Sequence, residues 1–284
     1  MSTFTHLGVK KDFVKSLKEL KITTPTEIQE KAIPVLLKSK KDFIGLAQTG
    51  TGKTAAFGLP VLHQIDADKP VVQALILSPT RELVQQIKKQ LFKFTKYSDD
   101  RIFLEAVFGG EKIDKQLKNL ERTTHVIVAT PGRLLDLIKR GTVDLSNVKT
   151  VVLDEADEML SMGFKKELDA ILTHTGTTKN TWLFSATMPE GIKRIIKTYM
   201  SDDAIKIAVN ESGIVNANIS HQYIKTTVRQ KTADIIEFLV TKGQGRGIIF
   251  CKTKLGTQAL TKELADEGFS VGALEGDMTQ KDRD

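Results

Sequence analysis

Short apolar runs rich in β-formers recur along the chain, and each is followed by a stretch with helical periodicity. The runs are Asp42–Ala47, Ala74–Ser78, Ile102–Phe108, His125–Ala129, Thr150–Leu153 and Trp182–Ser185. The helical patterns after them are Thr54–Ile65, Arg81–Lys96, Gly110–Leu120, Arg133–Arg140, Met162–Thr173 and Pro189–Tyr199. Strands that are apolar nearly throughout are buried on both faces, and strand–helix alternation makes neighbouring strands parallel. These two constraints together predict an α/β fold: a doubly wound parallel sheet with helices on both sides. In such sheets ligands bind beyond the carboxyl ends of the strands.

A helical lead, Lys10–Leu20, precedes the first run, and a second helix is expected from Thr26 to Lys38. Pro25 falls where a helix-starting proline belongs. The alternation weakens at Ser201–Ala217, where Asn210-Glu211-Ser212-Gly213 reads as a linker. It then restarts with strand Ser220–Thr226, helix Gln230–Val240, strand Arg246–Cys251, helix Gly256–Glu267 and strand Ser270–Leu274. Three strands and two helices are too few to complete a second doubly wound domain. The expected division is a helical lead over 1–38 belonging to the first domain, the rest of that domain over 39–208, a linker over 209–217 and an incomplete second domain over 218–284.

Charge and cysteine content narrow the function classes. The net charge is +7, yet from Glu211 to Asp284 ten basic residues balance ten acidic ones. The whole surplus therefore lies in residues 1–210, which suits a polyanionic partner but equally a solvated lysine-rich surface. Cys251 is the one cysteine, so an internal disulfide and a cysteine zinc site are both excluded. Its apolar neighbours make it a candidate core residue. The five histidines show no metal-ligand spacing. No run reaches the ~18 apolar residues of a membrane span, so no membrane partner is expected. The expected location is cytoplasmic.

The chemistry-bearing segment is Ala47-Gln48-Thr49-Gly50-Thr51-Gly52-Lys53-Thr54, between an apolar strand and a helix. It fits the phosphate-loop pattern with Ala47 in place of the first glycine. Gly50 and Gly52 let backbone N–H groups turn toward phosphate oxygens at a helix N-terminus. Lys53 would reach the β- and γ-phosphates, and Thr54 would hold Mg²⁺. Val151-Val152-Leu153-Asp154-Glu155 runs a strand into two carboxylates. Alone, such a pair is more often a helix cap, but the upstream loop reverses that reading. Asp154 then holds Mg²⁺ through water, and Glu155 orients and deprotonates the attacking water.

Asp154-Glu155-Ala156-Asp157 spells a family signature, and other motifs stand around it in order. They are Pro25-Thr26-x-Ile28-Gln29, Ala47–Thr54, Pro79-Thr80-Arg81-Glu82-Leu83, Gly109-Gly110, Thr130-Pro131-Gly132-Arg133, Ser185-Ala186-Thr187, Ile248–Thr253 and Gln280-x-x-Arg283. The chain resembles the DEAD-box ATP-dependent RNA helicases across essentially its whole length, bacterial members most of all. The resemblance implies a RecA-like P-loop NTPase domain followed by part of a second RecA-like domain. The family's later second-domain motifs would follow Asp284, so a truncated chain is expected.

The resemblance also implies roles. Gln29 would read adenine through its amide, which offers one acceptor and one donor group, and Phe4 would stack on the base. Thr49, Gly50, Thr51, Gly52, Lys53 and Thr54 would hold ATP. Ser185 and Thr187 would couple ATP state to RNA. The RNA backbone would be met by Thr80, Arg81, Gly110, Thr130 and Arg133, and in the second domain by Thr253, Gly276, Asp277 and Arg283. None of these suits base-edge reading, so binding should depend little on sequence. Thr80 and Thr130 also suit helix caps. The family usually has glycine four residues before the proline, where this chain has Lys21. The expected activity is RNA-stimulated ATP hydrolysis by a monomer. Two alternatives stay open: a DNA helicase of the same superfamily, and a nucleotide-switched RNA clamp that does not unwind. No motif specifies a protein partner, ribosomal, RNA-decay or other.

Overall fold

A computed structural model describes residues 3–176, 179–209, 219–243, 245–278 and 282. The chain forms two compact units, Met1–Ile214 and Val215–Asp284.

In the first unit the apolar runs become strands β1 (Phe43–Leu46), β2 (Ala74–Leu77), β3 (Leu104–Val107), β4 (Val126–Ala129), β5 (Thr150–Leu153) and β6 (Asn180–Ser185). A seventh, β7 (Ile205–Ala208), follows them. All pair in parallel, in the order β3-β4-β2-β5-β6-β1-β7. β7 lies in the segment expected to be irregular. It pairs with β1, and only Lys206 on it is well exposed.

The period-two alternation of a strand splits each run between two cores. Val152, Trp182 and Phe184 join one core with α1 (Lys11–Glu19), α2 (Glu27–Lys38), α3 (Lys53–Gln64) and α4 (Arg81–Phe94). Val151, Leu153 and Leu183 join the other with α5 (Ile113–Leu120), α6 (Pro131–Lys139), α7 (Ala156–Ser161), α8 (Lys165–His174) and α9 (Glu190–Tyr199). Asp42 is buried, but both its oxygens are satisfied. It accepts from Thr181 N–H at 2.6 Å and Ser201 N–H at 2.7 Å, tying the starts of β6 and β7 to β1.

At the start of the chain Thr26 is the N-cap of α2 and Glu27 its first residue, so Pro25 sits two residues before the helix-starting position. α1 ends in a Schellman turn: Ile22 N–H reaches Leu17 O at 2.9 Å and Lys21 N–H reaches Lys18 O at 3.0 Å. Lys21 takes the left-handed position at φ +60°.

In the second unit the expected helices form as α10 (Lys231–Lys242) and α11 (Lys254–Asp266). The three expected strands do not: among the described residues of this unit there is no strand. Isolated runs gain nothing from β-propensity without a ladder and cover on their faces. Tyr223, Ile248 and Phe250 stay exposed, and Leu264 is the one fully buried apolar side chain described there. Cys251 is accordingly half-buried rather than a core residue.

Candidate active site

The sheet order sorts the motifs. β1, β6 and β5 are contiguous and carry the phosphate loop, Ser185–Thr187 and Asp154–Asp157 at their carboxyl ends. β2, β4 and β3 are contiguous and carry Thr80–Arg81, Thr130–Arg133 and Gly109–Gly110. One edge of one sheet thus holds the phosphate-loop and carboxylate motifs on one half and the motifs expected to meet RNA on the other.

On the nucleotide half, Gly50 (φ +84°) and Gly52 (φ +94°) turn the loop into α3. Gly52 is required twice over. Its φ disfavours any side chain, and a Cβ there would stand 2.3 Å from Gln29 Nε2. That close approach is a contact with a job: Gln29 Nε2 donates to Gly52 O at 3.0 Å, while Gln29 Oε1 accepts from Thr26 N–H at 3.0 Å. The buried amide therefore braces the phosphate loop. Phe4 is 2% exposed and belongs to the core below. The ring packs with the core residues of α1, α2 and α3, where its apolar surface is favourably buried.

Lys53 Nζ donates to Glu155 Oε2 at 2.8 Å, with both side chains almost fully buried, and Thr49 Oγ1 donates to Glu155 Oε1 at 3.1 Å. Both carboxylate oxygens of Glu155 are thus held by the phosphate loop. Glu155 itself lies in the left-handed region (φ 49°, ψ 50°) at the start of α7, a strained conformation of the kind found at functional sites. Thr51 Oγ1 is turned back onto Gln48 O at 2.6 Å.

Asp154 is 4% exposed, and its Oδ1 has no hydrogen-bond partner. Burial, reinforced by the Glu155 charge, raises its carboxyl to about 7 despite the nearby Lys53. A buried carboxylate oxygen without a donor fits a cation. Thr54, half-buried in the first turn of α3 directly after the phosphate loop, adds a hydroxyl. Among the described residues no group of three or more His, Cys, Asp or Glu could bind a metal by itself. Thr54 directly and Asp154 through water offer the few protein oxygens that Mg²⁺ takes when phosphate and water complete its shell.

Asp157, the last residue of the signature, has a structural role. Its Oδ2 accepts from both Thr187 N–H (2.9 Å) and Thr187 Oγ1 (2.7 Å). Burial alone would raise the Asp157 carboxyl, but the hydrogen bonds it accepts from Thr187 outweigh it and hold it below the usual range. Ser185 is fully buried and donates to Thr187 O at 2.7 Å. The two motifs after β5 and β6 are one hydrogen-bonded unit.

On the other half, Thr80 caps α4 by accepting from Leu83 N–H at 3.3 Å. Thr130 sits at the N-cap of α6 with Pro131 next, but its side chain makes no cap bond. Gly110 has φ +88°, and a Cβ there would lie 2.6 Å from Arg81 Nη1, so the glycine makes room for the guanidinium. Arg133 Nη1 donates to Glu111 O and Gln116 Oε1, each at 3.3 Å. Gln116, buried and overlooked in the sequence, fixes this corner by donating to Phe108 O at 2.8 Å and Glu111 Oε2 at 3.1 Å. An amide mid-helix carries no pattern that would have marked it.

In the second unit Thr253 caps α11 through Gly256 N–H at 3.0 Å. Lys254 bonds Asp277 and lies against Gly276. Arg283 falls outside the described residues.

The DEAD/DEAH box helicase family pattern matches residues 26–195. The chain belongs to this family. It is 39% identical over 284 residues to the DEAD-box ATP-dependent RNA helicase CshA of Geobacillus kaustophilus, covering all of this chain and 60% of that protein. It is 40% identical to the ATP-dependent RNA helicase DbpA of Bacillus subtilis, covering all of this chain and 58% of that protein. Against the ATP-dependent RNA helicase DeaD of Haemophilus influenzae the identity is 42%, over 99% of this chain and 46% of that one. The chain spans about half to three-fifths of these relatives. Among solved structures, a DEAD box protein from Methanococcus jannaschii matches with TM-score 0.69 at 36% identity, over 99% of this chain and 75% of that one. S. cerevisiae Dbp5 L327V bound to RNA and ADP BeF3 matches with TM-score 0.88 at 29% identity, over 100% and 71%. For a DEAD/DEAH box helicase, the clustering of motifs that lie far apart in sequence along one sheet edge follows directly from the strand order.

Proposed function

We propose that this chain binds ATP with Mg²⁺ and supplies the ATP-binding core of an RNA-stimulated helicase. The observation that carries the reading is the buried Lys53–Glu155 pair, with Asp154 Oδ1 unpartnered beside it. Lys53 is drawn to the ATP phosphates and so leaves Glu155. Glu155, freed, takes the proton of the attacking water. Gly50 and Gly52 keep backbone N–H groups turned toward the phosphates. Asp154 and Thr54 would hold Mg²⁺, which neutralises charge on the phosphate oxygens when bound. Gln29 uses one amide N–H and one lone pair on the protein, leaving one of each for the adenine N7 and N6 amino group.

RNA is the proposed polyanion on the other half. Arg81, Arg133, Thr80, Thr130 and the glycine turn at Gly110 form a backbone-binding set, and Thr253, Gly276, Asp277 and Arg283 are assigned to RNA by family resemblance. Dbp5, similar over the whole of this chain, is seen bound to RNA and ADP BeF3, which supports RNA over DNA. Such contacts give salt-dependent, sequence-tolerant binding. Two binding experiments test the reading. Nucleotide binding should favour ATP over GTP and require Mg²⁺. RNA should outcompete DNA of the same sequence, and its affinity should fall steeply with salt. Equal affinity for ATP and GTP would remove Gln29 from its role; equal affinity for RNA and DNA would remove RNA selectivity.

A further inference from the structure

Ser78 is the last residue before the Pro79–Leu83 motif, and its hydroxyl is fully buried without a hydrogen-bond partner. A buried hydroxyl left unpaired is unfavourable and uncommon. Its position gives it a partner in function. β2 and β5 pair in register from Ala74↔Thr150 to Leu77↔Leu153. The ladder continues one step further, with Asp154 N–H donating to Leu77 O at 2.9 Å. The next rung sets Ser78 beside Asp154. Ile76 and Val152, two residues back on each strand, both belong to the core that carries α3 and Ala47 of the phosphate loop. By strand alternation Ser78 and Asp154 face that same side. Two adjacent, buried oxygen groups, Ser78 Oγ and Asp154 Oδ1, therefore both lack a donor on the face where the phosphates are proposed to lie.

We infer that Ser78 is a positioning residue for the metal-holding carboxylate. A water in the shell of a bound divalent cation has two protons to donate. One goes to Asp154 Oδ1 and the other to Ser78 Oγ, so both orphaned oxygens are satisfied by one molecule. Outer partners of this kind set ligand orientation and affinity. Thr80 and Arg81 stand two and three residues further on, so the same strand end joins the proposed RNA-binding loop to the carboxylate. The inference rests on the reading of the site as one for ATP with Mg²⁺.

The test is a titration of Mg²⁺ into the 284-residue chain with a fluorescent ADP analogue, for wild type, Ser78→Ala and Ser78→Cys. Cysteine keeps the shape with a somewhat larger atom but is a weak acceptor. Each variant should need roughly tenfold more Mg²⁺ for half-maximal binding, with nucleotide affinity at saturating Mg²⁺ unchanged. Without nucleotide the Ala variant should be as stable as wild type or more so, because it removes an unpaired hydroxyl. A Mg²⁺ midpoint equal to wild type in both variants would overturn the inference. So would a loss of nucleotide affinity that persists at saturating Mg²⁺, which marks a packing fault. A wild-type chain whose nucleotide binding ignores Mg²⁺ would overturn the site reading itself, and this inference with it.

Discussion

Thr187 donates twice to the same oxygen of Asp157, once through its backbone N–H and once through its hydroxyl. The two residues close a bridge between the loops after β5 and β6. Hydrogen bonds to a charged group contribute about 1.5–3 kcal/mol each when shielded, and less here because Thr187 is exposed. Thr187→Val removes the hydroxyl donor and keeps the backbone one. It should cost about 1 kcal/mol in urea unfolding, and Asp157→Asn should cost more. In the double variant the two losses should not add, leaving a coupling of about 0.5–2 kcal/mol. Additive losses would show that the hydroxyl does not act through Asp157.

Glu155 is held by Lys53 and Thr49 before any phosphate arrives. Glu155→Gln removes the charge that keeps Lys53 in place. Hydrolysis should fall by roughly 10²–10⁴-fold, the usual worth of a general base, while ATP affinity should hold or rise because Lys53 is released. Lys53→Ala should weaken nucleotide binding instead. Equilibrium binding with a labelled nucleotide separates the two. A Glu155→Gln variant that binds ATP markedly more weakly would contradict the clasp.

Asp154 carries a pH signature. Its carboxyl is raised from 3.8 to about 7, first by burial and then by the Glu155 charge. In the window from about 4 to 7 the folded chain therefore holds a proton that the unfolded chain has released. Stability from this group is fully present below the unfolded value and is lost as pH rises through 7. Asp154→Asn, which cannot ionise, should stabilise the nucleotide-free chain at pH 7.5 by an amount on the order of 1–4 kcal/mol. The gain should shrink toward pH 4.5. Chemical denaturation at the two pH values checks it; a gain independent of pH would remove Asp154 as its source.

His63 pulls the other way. Burial, with Lys10 nearby, lowers its pKa from 6.5 to about 4, and its Nε2 accepts from Lys10 N–H at 2.8 Å. Here the unfolded chain binds the extra proton, so this contribution is present above 6.5 and lost as pH falls toward 4. His63→Gln keeps an acceptor without titrating in this range. It should flatten the acid limb of the stability profile between pH 6.5 and 4, most visibly in the Asp154→Asn background, where the opposing slope is gone. An acid limb unchanged by His63→Gln would place its origin elsewhere.

The first unit was largely legible because each buried strand is a continuous apolar run with a turn signal at its end. β7 was not, since an edge strand with an exposed Lys206 lacks that signature. The strand runs of the second unit show the opposite error. Their β-propensity is real, but pairing depends on neighbours, which no local run encodes. The site divides the same way. Phosphate-loop and carboxylate residues could be named from fixed spacing, while the pairing of Lys53 with Glu155 across 102 residues, and of Asp157 with Thr187, depends on strand order.

Lys21 is where this chain departs from its family, which usually has glycine there. The departure did not change the backbone: Lys21 occupies the C′ position of a Schellman turn at φ +60°. A side chain in that region costs roughly 1–2 kcal/mol. Glycine removes the cost but gives the unfolded chain more freedom, worth about 0.4–1 kcal/mol in the other direction. Lys21→Gly should therefore stabilise the first unit by about 0.5–1 kcal/mol, with no effect on nucleotide affinity, because the turn geometry that leads to Thr26 and Gln29 is already present. Lys21→Ala separates the causes. It removes the long side chain but keeps the Cβ, so it should leave stability within about 0.5 kcal/mol of wild type. If alanine stabilised as much as glycine, the lysine side chain rather than the left-handed backbone would be the source of strain.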